Sequence, residues 1–187
     1  MINFQDFLYI LRWLLGFLLI GIIFLPFSSY LFKDFRDKGY IFSKILGLAI
    51  VSYSLFILGL IKIIKFSEAS VFLILIIFLA INYFKNVKNV FLILKKNYKI
   101  ILFEEALFFV CLFIWSLIRS NLPEINGLEK FMDFGFLNSI LRSEYFPPKD
   151  MWYTPLAINY YYFGHLITAV VTKLTFIPSF ISYNLMI

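Results

Sequence analysis

Five long apolar stretches restrict the folds open to this chain. They cover residues 8–32, 45–64, 69–84, 100–118 and 155–177. A helix needs about 20 apolar residues to cross a hydrocarbon core, because each residue rises about 1.5 Å. The third stretch is at the short end of that range. Backbone polar groups inside a bilayer must be satisfied within the segment, so the stretches are predicted to be helices.

The composition also indicates a membrane protein. Of the 187 residues, 62% are hydrophobic and 15% are charged, and the mean hydropathy is +0.89; soluble domains are about one-quarter charged. The predicted fold class is therefore all-α, a polytopic transmembrane protein with about five spans. Pro178 closes the fifth, and Ser179 is predicted to begin a sixth. Because the chain stops within that apolar run, a C-terminal truncation is expected.

Basic residues are unevenly distributed among the predicted linkers. The first linker contains Lys33, Arg36, Lys38 and Lys44, and residues 85–99 contain five lysines, whereas the second linker contains Lys62 and Lys65. Since basic linkers favour the cytoplasmic side, the N-terminus and the loop 119–153 are predicted to be external to the cell membrane. The net charge of +6 then reflects topology and contact with anionic lipid, not nucleic-acid binding.

The predicted external loop carries a candidate surface helix. Residues 128–145 have apolar residues at roughly helical spacing, typical of a helix lying along a membrane surface. Glu129 and Asp133 are four residues apart and share one face of such a helix. They are either solvated surface carboxylates or a helper and a general base at the interface. The second interpretation includes a divalent cation held between them.

The next segment contains three adjacent tyrosines and the only histidine. Thr154 and Pro155 suit the cap and the first residue of a helix, which would make 155–177 the fifth span. That helix would place the tyrosines at the outer interface. The lone His165 excludes a multi-histidine metal cage within the chain, and the lone Cys111 excludes a disulfide framework.

Two interpretations of the tyrosine cluster remain open. On the predicted helix, Tyr161 and Tyr162 would share a face with His165, and Asn159 would lie one turn before Tyr162. Tyrosines alone suit an aromatic belt at headgroup level. The added amide and imidazole favour a functional site, because polar groups within a span usually have a role.

Two further carboxylates open the fourth predicted span. Glu104 and Glu105 follow Lys95, Lys96 and Lys99 closely. A carboxylate at the bilayer centre is costly, whereas one near the inner interface can pair with a lysine. Interfacial ion pairs are therefore predicted here, rather than catalysis.

Three long segments carry a resemblance to a known family: EINGLEKFMDFGFLNSILRSEYFPP, WYTPLAINYYYFGH and, nearer the amino terminus, LPFSSYLFKDFRDKGYIFSKILGL. They resemble the YYY membrane protein family, which is of uncharacterised activity and is named for its tyrosine triplet. The resemblance covers nearly the whole chain, although family members are longer and more often have proline where Phe131 stands. It implies a relation to C-type membrane glycosyltransferases, which are helical enzymes that use a polyprenyl-phosphate sugar donor.

That relation implies roles for the candidate residues. Asp133 would deprotonate an acceptor hydroxyl, and Glu129 would orient the acceptor or hold a divalent cation. The residues implied to bind substrate or the departing lipid phosphate are Asn159, Tyr161, Tyr162, His165 and Arg142. The resemblance also implies an added three-span module over residues 1–99 and a glycosyltransferase-like module over 100–187. The partners implied for the protein are membrane lipid, the lipid-linked sugar and an acceptor.

The alternative function is non-enzymatic. In a transporter, lipid-binding protein or scaffold, Asn159, the tyrosines and His165 would line a path. Broken helices and charges at mid-membrane would favour that function. The polar residues of this sequence instead cluster at one predicted interface.

Overall fold

The secondary-structure elements of the described part of the chain are α-helices, apart from one isolated bridge. A computed structural model describes residues 3–84, 87–127 and 129–187. In these ranges the helices are α1 Phe4–Leu31, α2 Tyr40–Leu60, α3 Glu68–Tyr83, α4 Val87–Asn121, α5 Lys130–Arg142, α6 Phe163–Thr175 and α7 Ser179–Met186. The predicted all-α class is confirmed. The predicted starts of the lysine-rich linker, residue 85, and of the surface helix, residue 128, lie outside the described residues.

Three of the described helices are long and apolar enough to cross a membrane. They are α1, α2 and residues Lys88–Asn121 of α4. The apolar helix α3 has 16 residues and α6 has 13, both fewer than the roughly 20 that a span needs. The structure therefore does not confirm five spans and a sixth. A new helix does begin at Ser179 after Pro178, as predicted, but α7 has only 8 residues.

Contacts place the loops at two ends of the helix bundle. At one end, Phe66 N donates to Glu144 O at 2.7 Å, so the loop after α2 meets the segment after α5. At the other end, the basic loop between α1 and α2 lies beside Lys96 and Lys99 of α4. The 21 residues of α2 separate these ends by about 30 Å. The two basic segments therefore share one end of the bundle.

A proline inside α1 is accommodated by α3. Pro26 has no N–H to donate, so it leaves the carbonyl of Ile22 without its helical partner. Tyr83 Oη donates to that carbonyl at 2.6 Å. Asn82 Nδ2 donates to the next carbonyl, that of Ile23, at 3.0 Å. Side chains of α3 thus supply the hydrogen bonds that a membrane interior cannot.

The buried ion pair at the basic end joins α2 to α4. Lys44 Nζ lies 2.5 Å from Glu105 Oε1, and the Lys44 side chain is only 5% exposed. The predicted pairing with a lysine is therefore confirmed for Glu105, and its partner is Lys44 of the first basic linker. Lys99 is six residues before Glu105, about 240° around the helix, so it faces another direction. The facing helix provides the cation instead.

The helix predicted at Thr154 and Pro155 begins later. α6 starts at Phe163, with Tyr162 as its N-cap residue. The prediction that the tyrosine triplet forms the first two turns of a span is therefore wrong. Tyr160 and Tyr161 belong to the preceding loop, so the predicted shared helix face with His165 does not exist.

The apolar face of α6 packs against the longer helices. Leu166, Ala169 and Val170 are fully buried in the core that α6 shares with α1, α2 and α3. Lys173 Nζ lies 2.8 Å from Glu68 Oε1 and joins the end of α6 to the start of α3. This packing fixes the first turn of α6 over the bundle, where it meets α5.

Candidate functional site

Helices α5 and α6 bring an acidic side chain to the only histidine. Asp133 lies in the first turn of α5, and His165 lies in the first turn of α6. Asp133 Oδ1 and His165 Nε2 are 3.5 Å apart, and their side chains are 31% and 22% exposed. That distance is long for a hydrogen bond. The two groups form a half-buried acid–base pair that solvent can reach.

Phe136 links this pair to the aromatic residues of the loop. It follows Asp133 by three residues on α5 and is buried. Its ring centroid lies 5.7 Å from that of His165 and 5.8 Å from that of Tyr160. Trp152 contacts its edge at 6.4 Å. Such edge-on and tilted ring contacts restrict side-chain orientation, so Phe136 holds the imidazole beside Asp133.

Tyr160 and Tyr161 form a stacked pair next to Phe136. Their ring centroids are 4.0 Å apart, and Tyr160 Oη donates to Tyr161 Oη at 2.7 Å. The hydrogen bond to Tyr161, with the nearby carboxylates of Glu129 and Asp133, raises the pKa of Tyr160 to about 12. The Tyr160 hydroxyl therefore stays protonated at neutral pH.

A short hairpin positions these aromatic residues. Lys149 and Ala157 form its bridge, and Asp150 N donates to Leu156 O at 2.8 Å. At its tip, Asp150 Oδ1 accepts the N–H groups of Trp152 and Tyr153 at 2.8 and 2.9 Å. Since this carboxylate closes the turn locally, the chain folds back before α6 can begin.

The hairpin packs directly against α5. Met151 lies over Gly135, where a Cβ would overlap its sulfur, and Ser139 Oγ donates to Lys149 O. Gly135 therefore allows the hairpin to approach the helix that carries Asp133. This close packing fixes the stacked tyrosines relative to the Asp133–His165 pair.

Glu129 lies one turn before Asp133, as the spacing predicts. Glu129 O accepts the N–H of Asp133 at 2.9 Å at the start of α5. In the described ranges, no group of three or more His, Cys, Asp and Glu side chains could hold a metal ion. A divalent cation between Glu129 and Asp133 therefore stays a prediction, since Mg²⁺ is often held by one or two carboxylates together with substrate phosphates.

The remaining predicted site residues lie elsewhere. Tyr162 packs against the apolar core, with its ring 6.3 Å from that of Phe56, and Asn159 is exposed in the loop. Arg142 is nine residues after Asp133, which places it about 13 Å along α5 and on the opposite side of the helix. The structure therefore brings Asp133 and His165 together and connects Tyr161 to them through Tyr160 and Phe136, whereas Tyr162, Asn159 and Arg142 lie apart.

Three aromatic residues of the site, Phe136, Trp152 and Tyr160, are not among the site residues that the sequence predicts. The spacing of three between Asp133 and Phe136 was a usable signal, because such residues are neighbours on a helix. No local signal placed Trp152, which depends on the fold of the hairpin.

Replacing His165 with glutamine should flatten the pH dependence of stability below about pH 7. Burial lowers the pKa of His165, and the charge of Asp133 opposes that shift only in part. The folded chain thus binds this proton less readily than the unfolded chain, whose histidine has a pKa of about 6.5. The free energy of unfolding that this pKa difference contributes is fully present above about pH 6.5. It is lost as the pH falls through the lowered pKa.

Thermal unfolding in detergent between about pH 7.5 and pH 5 measures this effect. Asp133 and the other carboxylates are common to both proteins, and the chain has no second histidine. The difference between the two curves therefore isolates His165. Parallel loss of stability in both proteins would contradict the prediction.

Comparison with known proteins identifies a family. A family model described as "Uncharacterized membrane protein (DUF2298)" matches residues 50–187. The match covers well over half of the chain and includes α3 to α7, the hairpin and the whole candidate site. No curated protein and no solved structure matches the chain.

Proposed function

The chain belongs to the DUF2298 family of uncharacterized membrane proteins, and we propose that it acts as a membrane glycosyltransferase. It transfers a sugar from a polyprenyl-phosphate donor to an acceptor hydroxyl at the external membrane face. The resemblance to YYY membrane proteins, and through them to C-type glycosyltransferases, supplies the reaction class. The observation that carries the proposal is the 3.5 Å approach of Asp133 and His165 beside the stacked tyrosines.

The proposed orientation follows from the two ends of the bundle. The basic loop after α1 and the lysines of α4 share one end, which the positive-inside rule assigns to the cytoplasm. The segment after α5 packs at the opposite end, where Phe66 N donates to Glu144 O. Asp133 and His165 are then external, where a lipid-linked sugar and a water-soluble acceptor can both reach them.

Asp133 is the proposed general base. Its carboxylate takes the proton from the acceptor hydroxyl, and the acceptor oxygen attacks the anomeric carbon from the side opposite the phosphate. A carbon–oxygen bond forms as the bond from the anomeric carbon to the phosphate oxygen breaks. The lipid phosphate leaves with the bonding electron pair, and the anomeric configuration is inverted. The proton on Asp133 then passes to water.

His165 is the proposed positioning residue for that base. Burial lowers the pKa of His165, so the imidazole is neutral at neutral pH and does not cancel the charge of Asp133. The carboxylate thus keeps its capacity to accept a proton. The 3.5 Å separation leaves room for the pair to tighten around a bound acceptor, as catalytic contacts often do.

Tyr161 is the proposed donor to the departing phosphate. It is 76% exposed, and its hydroxyl already accepts from Tyr160 Oη. The Tyr161 O–H is therefore oriented away from Tyr160 and can donate to an incoming ligand. Hydrogen bonds to an oxygen that gains negative charge lower the barrier. Tyr160 orients Tyr161 and does not itself donate to the phosphate, because its one O–H is already used.

The proposal is tested by a transfer assay with the purified 187-residue chain in liposomes. The liposomes contain radiolabelled polyprenyl-phosphate sugars, and acceptor hydroxyl compounds are added outside. The expected result is loss of lipid-linked sugar, release of polyprenyl phosphate and appearance of a product of inverted configuration. Movement of the lipid or sugar across the bilayer without bond cleavage would instead establish the transporter alternative.

A further inference from the structure

A cavity lies at the same end of the bundle as Asp133, but Arg142, one of its lining residues, is on the opposite side of α5 from Asp133. It has a volume of about 690 Å³ and lies between the end of α2, the end of α5 and the hairpin. Its cationic lining residues are Lys62, Arg142 and Lys149. Three separate segments of the chain therefore each bring one positive charge to the same space.

The acidic side chains that line this cavity already have partners within the chain. Glu144 Oε2 lies 2.9 Å from Lys65 Nζ. Asp150 Oδ1 accepts two backbone N–H groups at the hairpin tip. By contrast, the side chains of Lys62, Arg142 and Lys149 have no hydrogen-bond or ion-pair partner within the described part of the chain. The cavity thus has a local surplus of positive charge with unused donors.

The backbone at Lys62 is unusual for a lysine. Lys62 has φ of 58° and follows α2, where Lys62 N donates to Gly59 O at 3.2 Å and Ile63 N donates to Leu58 O at 2.9 Å. This is the Schellman pattern that ends many helices, and its left-handed position is usually glycine. A lysine costs about 1 kcal/mol more there. A lysine nevertheless occupies this position, and it lines the cavity.

The uncharged lining of the cavity is partly apolar and partly polar. The apolar side chains beside the three cations are Phe146, Pro147 and Met151, and the polar ones are Ser139, Ser143, Tyr145 and Thr154. A lysine or arginine binds phosphate oxygens through charge-assisted hydrogen bonds, and arginine can do so with two parallel bonds. Apolar walls next to such donors suit the glycerol or acyl part of a lipid whose headgroup is anionic.

We propose that Lys62, Arg142 and Lys149 form a binding site for a phosphate group, separate from the Asp133–His165 pair. The group belongs either to an anionic lipid headgroup or to free phosphate. This site does not depend on the proposed sugar transfer, because Arg142 and Asp133 lie on opposite sides of α5. The resemblance implies that Arg142 contacts the departing lipid phosphate. Here its phosphate contact lies instead in this separate cavity.

The test uses the purified 187-residue chain in an uncharged detergent. Calorimetry measures binding of inorganic phosphate, and native mass spectrometry measures binding of phosphatidylglycerol, with diacylglycerol as the lipid that lacks phosphate. We expect Arg142→Gln to weaken phosphatidylglycerol binding about tenfold, and Lys62→Gln combined with Lys149→Gln to weaken it at least as much. Arg142→Lys should fall between, since it keeps the charge and loses the paired donors.

Lys130→Gln is the matched control. Lys130 is a cation at the other end of α5, outside the cavity, so its replacement should leave binding unchanged. Binding of phosphatidylglycerol alone identifies a lipid headgroup, and binding of inorganic phosphate as well shows that the phosphate group suffices. The proposal is overturned if neither ligand binds, if diacylglycerol binds equally, or if Lys130→Gln weakens binding as much as Arg142→Gln.

Discussion

Replacing Asp133 with asparagine is expected to slow sugar transfer by about 10²–10⁴-fold. Asparagine has almost the same shape as aspartate, so it can keep the approach to His165 and the start of α5. Its amide cannot accept the proton of an acceptor hydroxyl. The rate of polyprenyl-phosphate release in the liposome assay measures the loss, and unchanged thermal unfolding shows that the fold is retained.

Two other carboxylates, those of Glu124 and Glu129, serve as comparisons for Asp133. Glu124→Gln changes an exposed loop carboxylate that bonds Asn126, and its transfer rate should match that of the unaltered protein. Glu129→Gln should lose less than Asp133→Asn, because Glu129 has no contact with His165. Retention of most activity by Asp133→Asn, or equal loss in all three variants, would remove Asp133 as the base.

Local spacing was sufficient to predict the acidic half of the site. The helical period of residues 128–145 predicted α5, and the spacing of four predicted that Glu129 and Asp133 lie one turn apart. Both features depend on neighbours along one helix, which the sequence records directly. The alternation of basic and less basic linkers likewise predicted that α5 and the segment before α6 lie at the end of the bundle away from the lysines.

The hairpin before α6 and the pairing between helices could not be predicted in the same way. The Thr154–Pro155 pair is typical of a helix start, but the Asp150 carboxylate and the bridge between Lys149 and Ala157 close a hairpin there. Glu105 pairs with Lys44 of α2 because α2 faces α4, and the sequence predicted a lysine partner without predicting which one. Neither the hairpin contacts nor the facing of two helices is recorded in residue propensities.

Replacing Gly47 with valine should destabilise the protein by about 1–3 kcal/mol. Gly47 lies on α2 where it crosses α1, and a Cβ added there would lie 2.5 Å from Ile20 Cγ2 and 2.6 Å from Phe24 Cδ2. Both side chains are almost completely buried, so neither can move aside without separating the helices. Membrane helices often use small residues for such close approaches, because dispersion contacts between them replace the hydrophobic effect.

Gly164→Val is the matched control for Gly47→Val, because a Cβ at Gly164 has no atom within 4 Å. The same side chain is added in both variants, in the first turn of α6 at Gly164 and within α2 at Gly47. The overlap with α1 occurs only at Gly47. Thermal unfolding in detergent should show a midpoint lower by several degrees for Gly47→Val, at roughly 2–4 °C per kcal/mol for a chain of this length, and little change for Gly164→Val. Equal midpoints would mean that α1 and α2 do not approach as closely as their glycines allow.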